Sequence, residues 1–130
     1  MNRKHLFTVL IGFAGVLGHS QSSTLTVLVT DFKNNEGKVM VGIYSEKENF
    51  MKKALIRKSS SIQDGKAEVV FENLPTGEYA ISLYHDENDN DQLDTGWFGI
   101  PKEGYGCSNN AKGKMGPPKY EDAKFHNKIK

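Results

Sequence analysis

Cys107 is the single cysteine in 130 residues, so no disulfide within the chain can staple the fold. Four prolines and no low-complexity tract exclude a proline-rich or collagen-like chain. Seventeen basic side chains face sixteen acidic ones, and that balance lacks the basic excess of a nucleic-acid binder. Long apolar runs are also missing. The longest, Leu6 to Gly18, has 13 residues, short of the ~20 that cross a bilayer as a helix. One cysteine with no histidine pattern around it points to a small packed residue rather than a nucleophile.

The apolar run has a context of its own. A basic segment, Met1 to His5, precedes it, and Gly18 and Ser20 place small residues where a signal peptidase reads. This is the layout of an export leader over residues 1–20, with an uncleaved anchor as the alternative. Cleavage after Ser20 leaves Gln21 to Lys130, one domain of 110 residues, in the periplasm or outside the cell. Without Arg3 and Lys4 it carries 15 basic and 16 acidic side chains, a formal charge of −1. No membrane span remains after the cut. No cysteine near the cut supports a lipid anchor.

The mature chain alternates with a period of two. Thr24–Phe32 sets Leu25, Val27 and Val29 on one face, and Lys38–Tyr44 does the same with Val39, Val41 and Ile43. Asn34-Asn35-Glu36-Gly37 between them predicts a hairpin. Lys66–Glu72 and Glu78–Tyr84, joined through Pro75 and Gly77, predict a second. Ser45-x-x-Glu48 reads as a capping box for a short helix from Glu46 to about Lys53. Ala54–Ile62, rich in Lys, Arg and Ser, reads as an exposed edge strand. Tyr120–Ala123 suits one helical turn. Short strands with little helix predict an all-β, antiparallel, immunoglobulin-like or prealbumin-like sandwich with a long irregular loop.

That loop, Tyr84 to Pro118, carries the candidate chemistry. Asp86, Asn88, Asn90, Gln92 and Asp94 occupy alternate positions, as oxygen ligands do in an EF-hand loop, which points to Ca²⁺. Asp91 stands where a turn glycine is usual and Trp97 where a bidentate glutamate is usual, so any such site is open and weak. The same residues suit a solvated Asp/Asn turn with no ion, or less well a transition metal, for which His85 is the only nearby imidazole. Trp97, Phe98 and Tyr105, with Ser108, Asn109 and Asn110, form a candidate loop for an unknown protein or glycan partner. Their plainer role is to cap one end of the sandwich and pin the loop.

An enzyme is disfavoured. The acids cluster in one run rather than on two walls of a cleft, and a Ser108–His85–Asp relay lacks a nucleophile elbow. The function read here is therefore an exported, non-catalytic module. A structural or adhesive module without metal is the alternative, and a hydrolase comes last.

The stretch from Phe71 to Ile81, FENLPTGEYAI, resembles the L-P-x-G-x-Y signature of prealbumin-like and Cna-B-type sandwiches. His85-Asp-Glu-Asn-x-Asn90-x-x-Leu-Asp94, then Gly99-Ile-Pro-x-Glu-Gly-Tyr-Gly106, Ser108-Asn-Asn110 and Gly116-Pro-Pro118, resemble the bacterial family called domain of unknown function 2141. The resemblance runs from about Leu25 to Phe125. It implies export and a β-sandwich, and no activity. Family members commonly have glycine at Asp91, an aromatic at Cys107 and a fuller last strand, so here that strand is expected to be shortened or absent.

Overall fold

Alternating apolar residues and closely spaced turns fold into two antiparallel sheets stacked face to face. The computed structural model describes residues 22–91, 104–112 and 117–127, and the backbone of residues 8–15. The strands are β1 (Thr8–Gly15), β2 (Ser22–Thr30), β3 (Lys38–Tyr44), β4 (Ile56–Ser61), β5 (Ala67–Pro75), β6 (Gly77–Asp86), β7 (Tyr105–Cys107) and β8 (Phe125–Asn127). The first sheet has the order β1-β2-β5, and the second β4-β3-β6-β7 with β8 also on β6. The all-β sandwich expected from the sequence is the fold observed.

The core lies between the sheets. Leu25, Val27 and Val29 of β2, with Val69, Phe71 and Leu74 of β5, face Val39, Val41 and Ile43 of β3 and Tyr79, Ile81 and Leu83 of β6. All are buried, each aliphatic contributing about 1.5–3 kcal/mol relative to exposure. The inward residues are those the alternation predicts.

Both expected hairpins are corrected. β2 pairs with β1 and β5, β3 with β4 and β6, so the turn after Thr30 crosses from one sheet to the other. β5 and β6 likewise lie in different sheets although only Thr76 separates them. Each strand buries the same face whether its successor lies beside it or across the core, so alternation cannot tell these arrangements apart.

The predicted helix after Tyr44 shrinks to a 3-10 turn, Lys47–Asn49, with Glu46 rather than Ser45 at its cap and no side-chain cap bond. Phe50 follows at φ −57°, ψ 126° and drops onto the outer face of the second sheet. There it meets Tyr44 and Tyr120 edge to face, at 5.3 and 5.8 Å between ring centroids. Ala80, Cys107 and Ala123 complete this smaller cluster, Tyr120 and Ala123 arriving on the one-turn helix α1 (Tyr120–Ala123). Burial pushes the Cys107 thiol up to about 11, as suits a packed residue.

The last strand is present: Phe125–Asn127 pairs with Gly77–Tyr79. Its end is a lock between the sheets. The buried Asn127 accepts a bond from Ser23 Oγ of β2 at 2.7 Å, and its amide donates to the carbonyls of Leu74 and Pro75 at 3.3 and 3.2 Å. A strand of the second sheet is thus tied to both β2 and β5 of the first.

Candidate functional site

Three loops meet at one end of the sandwich: 31–37, 64–65 and the start of the acidic loop. Phe32 N–H donates to the Gly65 carbonyl, and Gly65 N–H to Asn35 Oδ1 at 2.8 Å. Gly37 sits at φ +67° against Asp86, where an added Cβ would lie 1.9 Å from the Asp86 carbonyl oxygen. Glycine is required there. His85 is buried at the end of β6, its Nε2–H donating to the Glu36 carbonyl at 2.6 Å and its ring edge-on to Phe32. It hydrogen-bonds and packs at the strand end.

The acidic loop is held from within. The Asp86 carboxylate is fully buried and accepts the backbone N–H groups of Asn90 at 3.1 Å and Asp91 at 2.8 Å. Asp89 and Asp91 adopt left-handed backbones, φ 55° and 62°, so Asp91 takes the conformation that a turn glycine would supply. The Lys38 ammonium stands among three carboxylates, in a short bond to Asp91 and at 3.9 Å from Asp89 and 4.0 Å from Asp86. That bond holds the Lys38 pKa above its ordinary value and the Asp91 carboxyl below its own. Beside them, burial pushes Glu87 upward. Bonds from Lys33 and Asn34 outweigh it and hold the carboxyl below the usual value.

Of the five proposed calcium ligands, Asp86, Asn88 and Asn90 fall in this turn, while Gln92 and Asp94 lie outside the described residues. Among the described residues no group of three or more His, Cys, Asp or Glu is arranged to hold a metal ion. Trp97 and Phe98 also lie outside them. Tyr105 is exposed on β7, the strand that pairs with Ser82–Tyr84. Ser108 is fully buried, its hydroxyl accepting Ile81 N–H at 2.9 Å and donating to the Ala123 carbonyl. Asn109, at φ 58°, donates to the carbonyls of Asp122 and Lys124. Ser108 and Asn109 therefore pin the loop to β6 and to the C-terminal segment.

Alternation of apolar residues marks the inward faces of the strands and leaves the outward ones unassigned. On the outer face of the second sheet, between the Phe50 cluster and Asp91, lies an open cleft of about 470 Å³. Met40, Tyr44, Met51, Arg57, Tyr84 and Asp91 line it, with Lys52 and Lys53 at its margin. Gly42 keeps its floor low, since a Cβ there would come within 3.1 Å of the Tyr44 hydroxyl and 3.3 Å of Ala54 Cβ. Arg57 donates to the Tyr84 hydroxyl at 3.3 Å, and burial raises the Tyr84 pKa against that neighbour's pull. The signal was available: Met40, Tyr44 and Tyr84 are large side chains at outward positions, where polar residues are usual.

The model of the family described as an uncharacterised protein conserved in bacteria (DUF2141) matches residues 27–130. No curated protein and no solved structure matches the chain.

Proposed function

The chain belongs to that family of uncharacterised proteins conserved in bacteria, and from this premise we propose an exported, non-catalytic module that binds a protein or glycan across the outer face of its second sheet. The cleft carries the reading: aromatic and thioether surface for stacking, ringed by Arg57, Lys52 and Lys53 for polar contacts. Asp91, at its edge, leads into residues 92–103, which hold Trp97 and Phe98. The Ser108 hydroxyl and His85 imidazole are each committed to backbone partners, which supports binding over a nucleophilic relay. Export rests on the leader-like residues 1–20, and among the described residues no helix is long and apolar enough to cross a membrane.

Glycan-array and pull-down binding by the purified protein tests this reading. Tyr84→Ala and Arg57→Ala in the cleft, and Trp97→Ala in the segment that follows Asp91 in sequence, are expected to lower any binding at least tenfold. Binding indifferent to all three overturns the placement.

A second reading keeps Ca²⁺ in the acidic loop, favoured by the exposed carboxylates of Asp89 and Asp91, which stand together at its rim. The ion would have to displace Lys38 from Asp91, while Asp86 is already spent on backbone amides. Affinity would then be weak, and Lys38→Met should strengthen it. Titration calorimetry at millimolar Ca²⁺ with no heat in either protein removes this reading.

A further inference from the structure

A sheet edge is a row of unpaired backbone donors and acceptors, and proteins guard it with charges, prolines or short strands. The true edges of this sandwich are guarded. β4 carries Arg57 and Lys58, and β5 carries exposed Glu68 and Glu72 and ends at Pro75. Lys58 Nζ even reaches the Val70 carbonyl on β5, at 2.8 Å. On the second sheet's other side, β7 is only three residues long.

β2 is different. Ser22–Thr30, SSTLTVLVT, has nine residues, no charge and no proline, and it is built like an interior strand. In the structure β1 covers it in unbroken antiparallel register, from Thr8 opposite Thr30 to Gly15 opposite Ser23. Yet β1 falls wholly within the leader-like segment. Once residues 1–20 are cut away, β2 loses that partner and, among the described residues, becomes an unguarded edge.

We propose that in the exported protein the vacated edge of β2 pairs antiparallel with β2 of a second copy of this chain. The inference rests on the export reading above. Self-pairing suits the strand's chemistry. An uncharged edge offers nothing to attract a charged partner strand, and a two-fold axis at Thr26, its middle residue, overlaps all nine residues. That register sets Thr26 opposite its own copy, Leu25 opposite Val27 and Ser23 opposite Val29. Odd-numbered residues therefore stay on the core face throughout, and the two first sheets join as β5-β2-β2-β5. The eight-residue ladder with β1 shows that the edge has the geometry to pair with a full antiparallel strand.

The test uses the full chain, expressed in a bacterial host with its own leader and purified from the exported fraction. Intact mass reads the N-terminus, and size exclusion with light scattering reads the assembly. A chain starting at or near Gln21 and running as a dimer is expected. Thr26→Lys and Thr26→Asp, each placing like charges opposite one another at the axis, should each give a folded monomer by circular dichroism. Mixed in equal amounts, they should restore a dimer. A mature N-terminus that retains residues 8–15 overturns the proposal through its export premise. A chain cut near Gln21 that stays monomeric overturns the pairing itself, as do a dimeric Thr26→Lys protein or a mixture that stays monomeric.

Discussion

Asn127→Ala is the perturbation that most directly tests how this sandwich is closed. The alanine removes the acceptor of the Ser23 hydroxyl, which is 1% exposed and has no route to water. It also removes the amide that donates to Leu74 and Pro75. The Pro75 carbonyl keeps a second partner, the Tyr79 hydroxyl at 2.7 Å, so its loss is small. The Ser23 hydroxyl is therefore the principal orphan, at about 1–3 kcal/mol, with about 1 kcal/mol more for the lost amide bonds. We expect a loss of about 2–4 kcal/mol in urea unfolding at unchanged m-value, roughly 10–25 °C in melting temperature for a domain of this size. Asn127→Asp should cost more, since it turns a carboxylate oxygen toward two carbonyls. Ser23→Ala should partly rescue Asn127→Ala, because it removes the orphan; the coupling in a double-mutant cycle should exceed about 1 kcal/mol. A loss under about 0.5 kcal/mol for Asn127→Ala, or additive effects in the cycle, refutes the lock.

Gly37→Ala combines a positive φ with a Cβ 1.9 Å from the Asp86 carbonyl, and should cost about 3 kcal/mol or more by urea melt; near-neutral behaviour would mean that the loop end is laid out differently. Cys107, buried with its thiol pushed up to about 11, should resist a disulfide reagent at pH 8 until denaturant is added, and rapid native labelling contradicts the packing. Lys38 and Asp91 carry a pH signature. The lowered Asp91 stabilises the fold above its unfolded value of ~3.9 and loses this as pH falls through the folded value; the raised Lys38 stabilises below ~10.4 and loses it as pH rises. The melting-temperature gap between wild type and Lys38→Met should therefore be widest between those limits and close outside them, and a gap independent of pH would refute the ion pair.

The strands were legible because their inward residues are apolar at every second position, and Leu25, Val41, Phe71 and Ile81 are buried as that pattern requires. The partition of strands between sheets was not. A turn such as Asn34–Gly37 obeys the same rules when it crosses the core as when it folds a hairpin. The acidic loop was legible as a concentration of charge, but its counter-charge was not, because Lys38 comes from a strand about fifty residues earlier and meets the loop only through the β3–β6 ladder. The role of Asn127 was not legible for the same reason. Its partners Ser23, Leu74 and Pro75 are remote in sequence, and a lone asparagine near the end of a chain carries no local pattern.

One segment answers to two physical descriptions at once. Residues 8–15, TVLIGFAG, are apolar and partly β-branched, and a short run of that kind satisfies a leader's apolar region and a buried strand equally well. In the structure this segment pairs with β2 as a strand. Composition around the segment favours the proposed leader use. The basic residues before it and the small residues after it are features that a leader needs and a strand does not. The unguarded character of β2, by contrast, lies in residues 22–30, outside the leader-like segment. A protein that loses β1 keeps the requirement β1 was meeting, and the strand best matched to β2 in length, charge and alternation is another β2.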